Sequence, residues 1–166
     1  MTESILNHKK VLVVDDEPDI LTVIKEEIAY SCPNTEVDTA GNYESAVELL
    51  KSKEYDLVIL DIMGVRGFDL LPIAVDRKFK VVVLTSRDLN PEALGKTHDL
   101  GGMAYLPKDQ LGNLVPFLED VLKHDYESGW KLLMHKLDAY FTGKFQSPDW
   151  RDKIHWYHDD IPRSKK

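Results

Sequence analysis

Asp15, Asp16, Asp61, Thr85 and Lys108 stand just past the ends of four apolar, strand-like runs. Were those runs laid side by side in a parallel sheet, one edge would gather three carboxylates, a hydroxyl and an ammonium. Carboxylates crowded without a counter-charge repel one another and favour a hard cation with oxygen ligands, Mg²⁺ foremost. A cation, a lysine and a hydroxyl around a carboxylate make a seat for a phosphoryl group. The chemistry these residues point to is that of a phospho-acceptor switch.

Such a cluster needs elements to position it. Val11-Leu12-Val13-Val14, Leu57 to Leu60 and Val81 to Leu84 are short, continuously apolar runs that read as buried strands. Glu36 to Ala40 is a weaker strand and Met103 to Leu106 a fifth. Between them lie helical patterns. Pro18 suits a first turn ahead of the stripe Ile20, Leu21, Ile24 and Ile28. Asn42 suits an N-cap ahead of Ala46, Val47, Leu49 and Leu50. A helix over Gly67 to Arg77 carries Pro72 near its first turns. Asn90-Pro91-Glu92 opens a fourth helix, which Gly95 weakens, and a fifth begins near Asn113. Strand and helix alternate five times. That pattern predicts an α/β fold with a parallel sheet covered on both faces, in the doubly wound flavodoxin-like order 2-1-3-4-5. Ligands in such sheets bind beyond the carboxyl ends of the strands, at the switch point between strands one and three. Asp15 and Asp16 fall on one side of that point and Asp61 on the other.

The bulk composition narrows the class. The chain has 166 residues, 43% of them apolar and 30% charged, as expected of a globular domain with an appendage. Its net charge of −8 opposes a broad nucleic-acid footprint. Cys32 is the only cysteine, which excludes an internal disulfide and a thiolate metal cluster. No run approaches membrane-spanning length and the opening residues lack a signal-peptide core, so the expectation is a cytoplasmic protein without membrane insertion. From Asp125 onward seven acids face eight bases, about +1, which leaves about −9 for the first 124 residues. The acidity belongs to the front of the chain.

Asp15-Asp16-Glu17, Asp61, Thr85-Ser86 and Tyr105-Leu106-Pro107-Lys108 together resemble the response-regulator receiver domain of two-component signalling, over roughly residues 8–124. The resemblance implies that Asp61 accepts a phosphoryl group from a histidine kinase or phosphotransfer protein. It implies Mg²⁺ held by Asp16, Asp61 and the Met63 backbone carbonyl, with Asp15 acting through water. Lys108 would pair with the phosphoryl group, Thr85 would move toward it, and Tyr105 would swing inward. The protein would then be a signalling switch rather than an enzyme, assisting only its own phosphotransfer and dephosphorylation. The alternative is a degenerate receiver, a constitutive binding module that is never phosphorylated.

Three positions depart from the usual receiver pattern. Val65 stands where a proline is common, the segment from Asp61 to Gly67 is about two residues short, and Asp109 rather than proline follows Lys108. Neighbouring classes fit less well. Haloacid-dehalogenase-type phosphatases place their nucleophile after the first strand, with a second acid two residues on. Here the candidate nucleophile follows the third strand, and the residue two further on is Met63. Flavodoxins need a phosphate loop after strand one, where Asp15-Asp16-Glu17 would repel phosphate. Taken singly, each motif also has a plainer reading: an N-cap region, a turn acid, a solvated lysine.

A boundary is expected near residue 124, with a receiver over 1–124 and a helical extension over 125–166. Tyr126 to Phe145 place Trp130, Leu133, Met134, Leu137, Tyr140 and Phe141 on one stripe. Ser147-Pro148-Asp149 opens a further short helix through Trp156. Eight of the fifteen aromatic residues lie in the extension, too much apolar area to leave in water. The plain expectation is packing on the chain's own receiver. The sharper one is a homodimer interface or a docking surface for a downstream protein target. His155, His158 and Asp159 are weighed as a metal site and set aside for want of a further ligand.

Overall fold

In the computed structural model, residues 3–85 and 91–145 are described, the side chains of Pro91 and of residues 136–145 excepted. The continuously apolar runs are the central strands, since only a residue flanked by layers on both faces is buried at every position. β1 (Lys10–Val14), β3 (Leu57–Asp61) and β4 (Lys80–Thr85) are buried along almost their whole length. β2 (Glu36–Ala40), with its polar positions half exposed, forms one edge of the sheet, and β5 (Ala104–Pro107) the other. All pairings are parallel and the order is β2-β1-β3-β4-β5, the expected flavodoxin-like one.

The helices are α1 (Pro18–Ser31), α2 (Tyr43–Ser52), α3 (Gly67–Asp76), α4 (Pro91–Asp99), α5 (Leu114–Lys123) and α6 (Tyr126–Phe145). Ile24 and Ile28 of α1, Ala46 and Leu50 of α2, and Leu114, Leu118 and Val121 of α5 are the buried parts of their stripes. Asn42 caps α2, its Oδ1 accepting from the Ser45 N–H at 2.9 Å. Pro72 is accommodated inside α3. β5 starts one residue later than its apolar pattern predicts, and a 3-10 turn over Lys108–Asn113, unforeseen in the sequence, joins it to α5.

α6 does not stand off the body. Trp130, Leu133 and Met134 belong to the same core as the sheet, and the Trp130 Nε1–H donates to the Gly102 carbonyl at 2.8 Å. The expected further helix from Ser147, and His155, His158 and Asp159, lie outside the described residues. Among the described residues no helix is long and apolar enough to cross a membrane.

Candidate functional site

Register brings the strand ends level. Val14 pairs with Leu60, Asp61 with Leu84, and Thr85 with Pro107. Residues at or just past those ends therefore meet at one sheet edge, and the chemistry of the site follows from which of them are buried.

Asp15 is wholly buried; its backbone N–H continues the sheet by donating to Ala40 O at 3.1 Å. Its Oδ1 accepts from the Glu17 N–H at 2.9 Å, and its Oδ2 lies 2.7 Å from Lys108 Nζ. Lys108 opens the 3-10 turn, and its ammonium stands 3.5 Å from Asp61 Oδ1 and 3.7 Å from Glu17 Oε1. Asp61, the last residue of β3, is 1% exposed, and its Oδ1 accepts from the Met63 N–H at 3.3 Å. Asp16 sits at the exposed mouth. One oxygen from each of Asp15, Asp16 and Asp61 lies within 4.8 Å of the others.

Thr85 is buried, and its hydroxyl has no hydrogen-bond partner among the described residues. An orphaned hydroxyl beside a carboxylate cluster is costly unless something arrives to satisfy it. Tyr105 is fully buried on β5. Ser86, Arg87 and Asn90 lie outside the described residues.

The loop after β3 carries the departures seen in the sequence. Gly64 has φ +71°, and a Cβ there would fall 2.3 Å from Asp16 Oδ2. Gly67 lies so close to the sheet that a Cβ would fall 2.1 Å from Asp61 O. Val65 is buried, and its N–H donates to the Met63 carbonyl at 2.7 Å. The oxygen expected to face a metal therefore already accepts one bond and keeps one lone pair. The peptide bond after Lys108 is trans.

Three carboxylates face one ammonium, and the electrostatics show the deficit. Burial and then the negative Asp15 push the Asp61 carboxyl up to about 6, against the pull of Lys108. Burial likewise raises Asp15, more than its contact with Lys108 lowers it. Burial alone would pull Lys108 down, but the Asp15 contact and the surrounding carboxylates hold it above its ordinary value. A cluster of oxygen donors that keeps its protons too tightly fits a divalent hard cation, and Mg²⁺ suits the donor set.

Two features escaped the sequence. Glu17 is a third carboxylate neighbour of Lys108, signalled only by its place directly after the Asp pair. The close contacts at Gly64 and Gly67 had no signal beyond two glycines in a short loop.

Residues 11–117 match the response regulator receiver domain. The chain belongs to that family. As a receiver it is 35% identical over 122 residues to the transcriptional regulatory protein PdtaR of Mycobacterium tuberculosis, covering 67% of this chain and 55% of PdtaR. It is 30% identical over 136 residues to the probable C4-dicarboxylate response regulator DctR of Bacillus subtilis, covering 78% and 60%. The receiver thus spans little more than half the length of these relatives. Among solved structures it resembles the Francisella response regulator 1452 receiver domain (TM-score 0.61, 25% identity, 70% of this chain and 98% of that one). It also shares its fold with the phosphorylated cyanobacterial phytochrome response regulator RcpA (TM-score 0.61, 24% identity, 70% and 94%).

Proposed function

We propose that Asp61 accepts a phosphoryl group from the phosphohistidine of a kinase or phosphotransfer protein, and that this cytoplasmic receiver then signals to a downstream protein through surface contacts. The observation that carries the reading is the buried Asp61 carboxylate, flanked by two further carboxylates, a lysine at 3.5 Å and an unpartnered threonine hydroxyl.

In the transfer, an Asp61 carboxylate oxygen bonds to phosphorus as the phosphorus–nitrogen bond to the donor imidazole breaks, and the imidazole keeps the electron pair. Asp16 and Asp61 would hold Mg²⁺, with the free lone pair of the Met63 carbonyl as a third contact and Asp15 acting through water. When bound, the ion supplies positive charge for the oxygens of the transferring group. Lys108 needs only to swing from Asp15 to the new phosphoryl oxygens, since Asp61 is already within reach of its ammonium. The Thr85 hydroxyl gains the acceptor it lacks and draws the start of the following segment with it. Tyr105 already lies inside the fold, so its proposed part is to hold the shifted arrangement in place.

Intact mass after treatment with Mg²⁺ and acetyl phosphate tests the proposal. An adduct that chelator and Asp61→Asn both abolish is expected. The second reading, a constitutive binding module, is favoured by the bond from Val65 N–H to the Met63 carbonyl; it requires that no adduct form from acetyl phosphate or a kinase.

A further inference from the structure

α6 makes its contacts on two elements that lead directly from the switch residues. β5 carries Tyr105, and three residues upstream the Gly102 carbonyl accepts from Trp130. α4 begins after the segment that follows Thr85, and its last turn carries His98. The His98 ring lies 5.0 Å from the Tyr126 ring and 5.3 Å from the Trp130 ring, and the Tyr126 hydroxyl donates to the His98 carbonyl. Gly129 lies beside Met103 and His124, where even an added Cβ would make only ordinary van der Waals contact. Leu133 and Met134 complete the buried face.

These contacts are directional. Two aromatic residues donate to two particular carbonyls, one on α4 and one at the entry to β5, while an imidazole is held against both rings. They fit one position of α4 relative to β5. A shift of α4 by a fraction of a side chain would break the His98 contacts before those to Gly102. α4 is the element most easily shifted, being short and interrupted by Gly95.

We propose that the first half of α6 is a resident occupant of the α4–β5 surface, docked on the unphosphorylated receiver and loosened when the site at Asp61 is filled. This rests on the phospho-acceptor reading above. It goes beyond that reading by naming the segment that responds and the surface its release uncovers, a face built to hold an amphipathic helix with aromatic anchors four residues apart. By linkage, any partner that takes the place of α6 on that face would tighten phosphoryl binding at Asp61, a site it never touches.

Full-length protein is compared with chelator, with Mg²⁺ alone, and with Mg²⁺ plus beryllofluoride as a non-covalent phosphoryl mimic. Amide exchange is read over residues 126–135 and mimic affinity by calorimetry. The mimic should speed exchange in that segment by about fivefold or more, the lower end of ordinary coupling between sites, while Mg²⁺ alone does not. Trp130→Phe, which removes the bond to Gly102, should bind the mimic about fivefold tighter. If circular dichroism shows that variant unfolded, Tyr126→Phe takes its place with the same expectation. Mimic binding with unchanged exchange over 126–135, or a folded variant with loosened α6 and unaltered affinity, overturns this inference and leaves the proposed function standing. No mimic binding at all, and no phosphoryl adduct, overturns both.

Discussion

At Asp61 the cost of preparing the site is visible in a single proton. Its carboxyl ionises near 3.8 in an unfolded chain and near 6 in the fold, so the folded protein holds the proton more tightly. The sign follows: with respect to this group stability is greatest below about pH 4, declines as pH rises toward about 6, and stays lower above it. The ionised, buried carboxylate then costs on the order of 3 kcal/mol. Asp61→Asn removes that charge in nearly the same shape. In chelator at pH 7.5 the variant should melt roughly 5–10 °C above the parent in a calorimetric scan, and the gap should narrow as pH falls and approach zero only below about pH 4. Saturating Mg²⁺ should close part of the gap at pH 7.5, because a cation that binds the folded trio stabilises only the parent. Equal melting in chelator at pH 7.5 would mean that the carboxylates are not crowded. Asp61 itself was plain in the sequence, since a bare acid after the most apolar strand needs a reason. That Lys108 rests on Asp15, 2.7 Å away, was not, because two carboxylates compete for one ammonium and only geometry decides between them.

Between elements, short connections do as much as the strands. Gly64 holds φ +71° with Asp16 packed where a Cβ would stand. Gly64→Ala meets both the backbone strain, about 1–3 kcal/mol, and the displaced carboxylate. Its Mg²⁺ affinity, read by calorimetric titration, should fall by roughly tenfold or more, the equivalent of about 1.4 kcal/mol. At the opposite end of the sheet Lys80, the first residue of β4, donates from Nζ to the carbonyls of Val121, Leu122 and His124 at 3.2, 3.1 and 3.0 Å. A cation there satisfies the last turn of α5 and complements its dipole. Lys80→Met should lower unfolding stability by about 1–3 kcal/mol, seen as an earlier urea midpoint. The sheet order was legible because β1, β3 and β4 are unbroken apolar runs that only a doubly covered parallel sheet can use. The 3-10 turn after Lys108 was hidden because Asp109, Gln110 and Gly112 have neither period, and its geometry is set by packing Leu111 inward. Lys80 fell just outside the apolar run Val81 to Leu84, and the helix end it caps lies some forty residues further along the chain, beyond α4 and β5.

For the molecule as a whole, the question is whether α6 is part of the folded unit. The receiver match ends at residue 117, and the related structures cover about 70% of this chain but nearly all of their own. α6 is therefore an addition to the shared fold, and its sequence stripe left open whether it packs inward, pairs with a second copy or waits for a partner. Over its first half the apolar residues are spent internally. Trp130 and Met134 are 1% exposed and Leu133 5%. Burying each such side chain contributes about 1.5–3 kcal/mol, so the three together rival the whole net stability of an ordinary domain, about 5–15 kcal/mol. A chain ending at residue 124 would keep every residue of the acidic site but would bare the α4 and β5 surface that these side chains cover. It should melt well below the full-length protein and self-associate at concentrations where the full chain sediments as one species. The comparison needs only scanning calorimetry and sedimentation velocity on the two chains. Equal melting temperatures and equal monomer masses would show that α6 adds nothing to the core, and the contacts of Trp130 with Gly102 and His98 would then be too weak to register the state of Asp61.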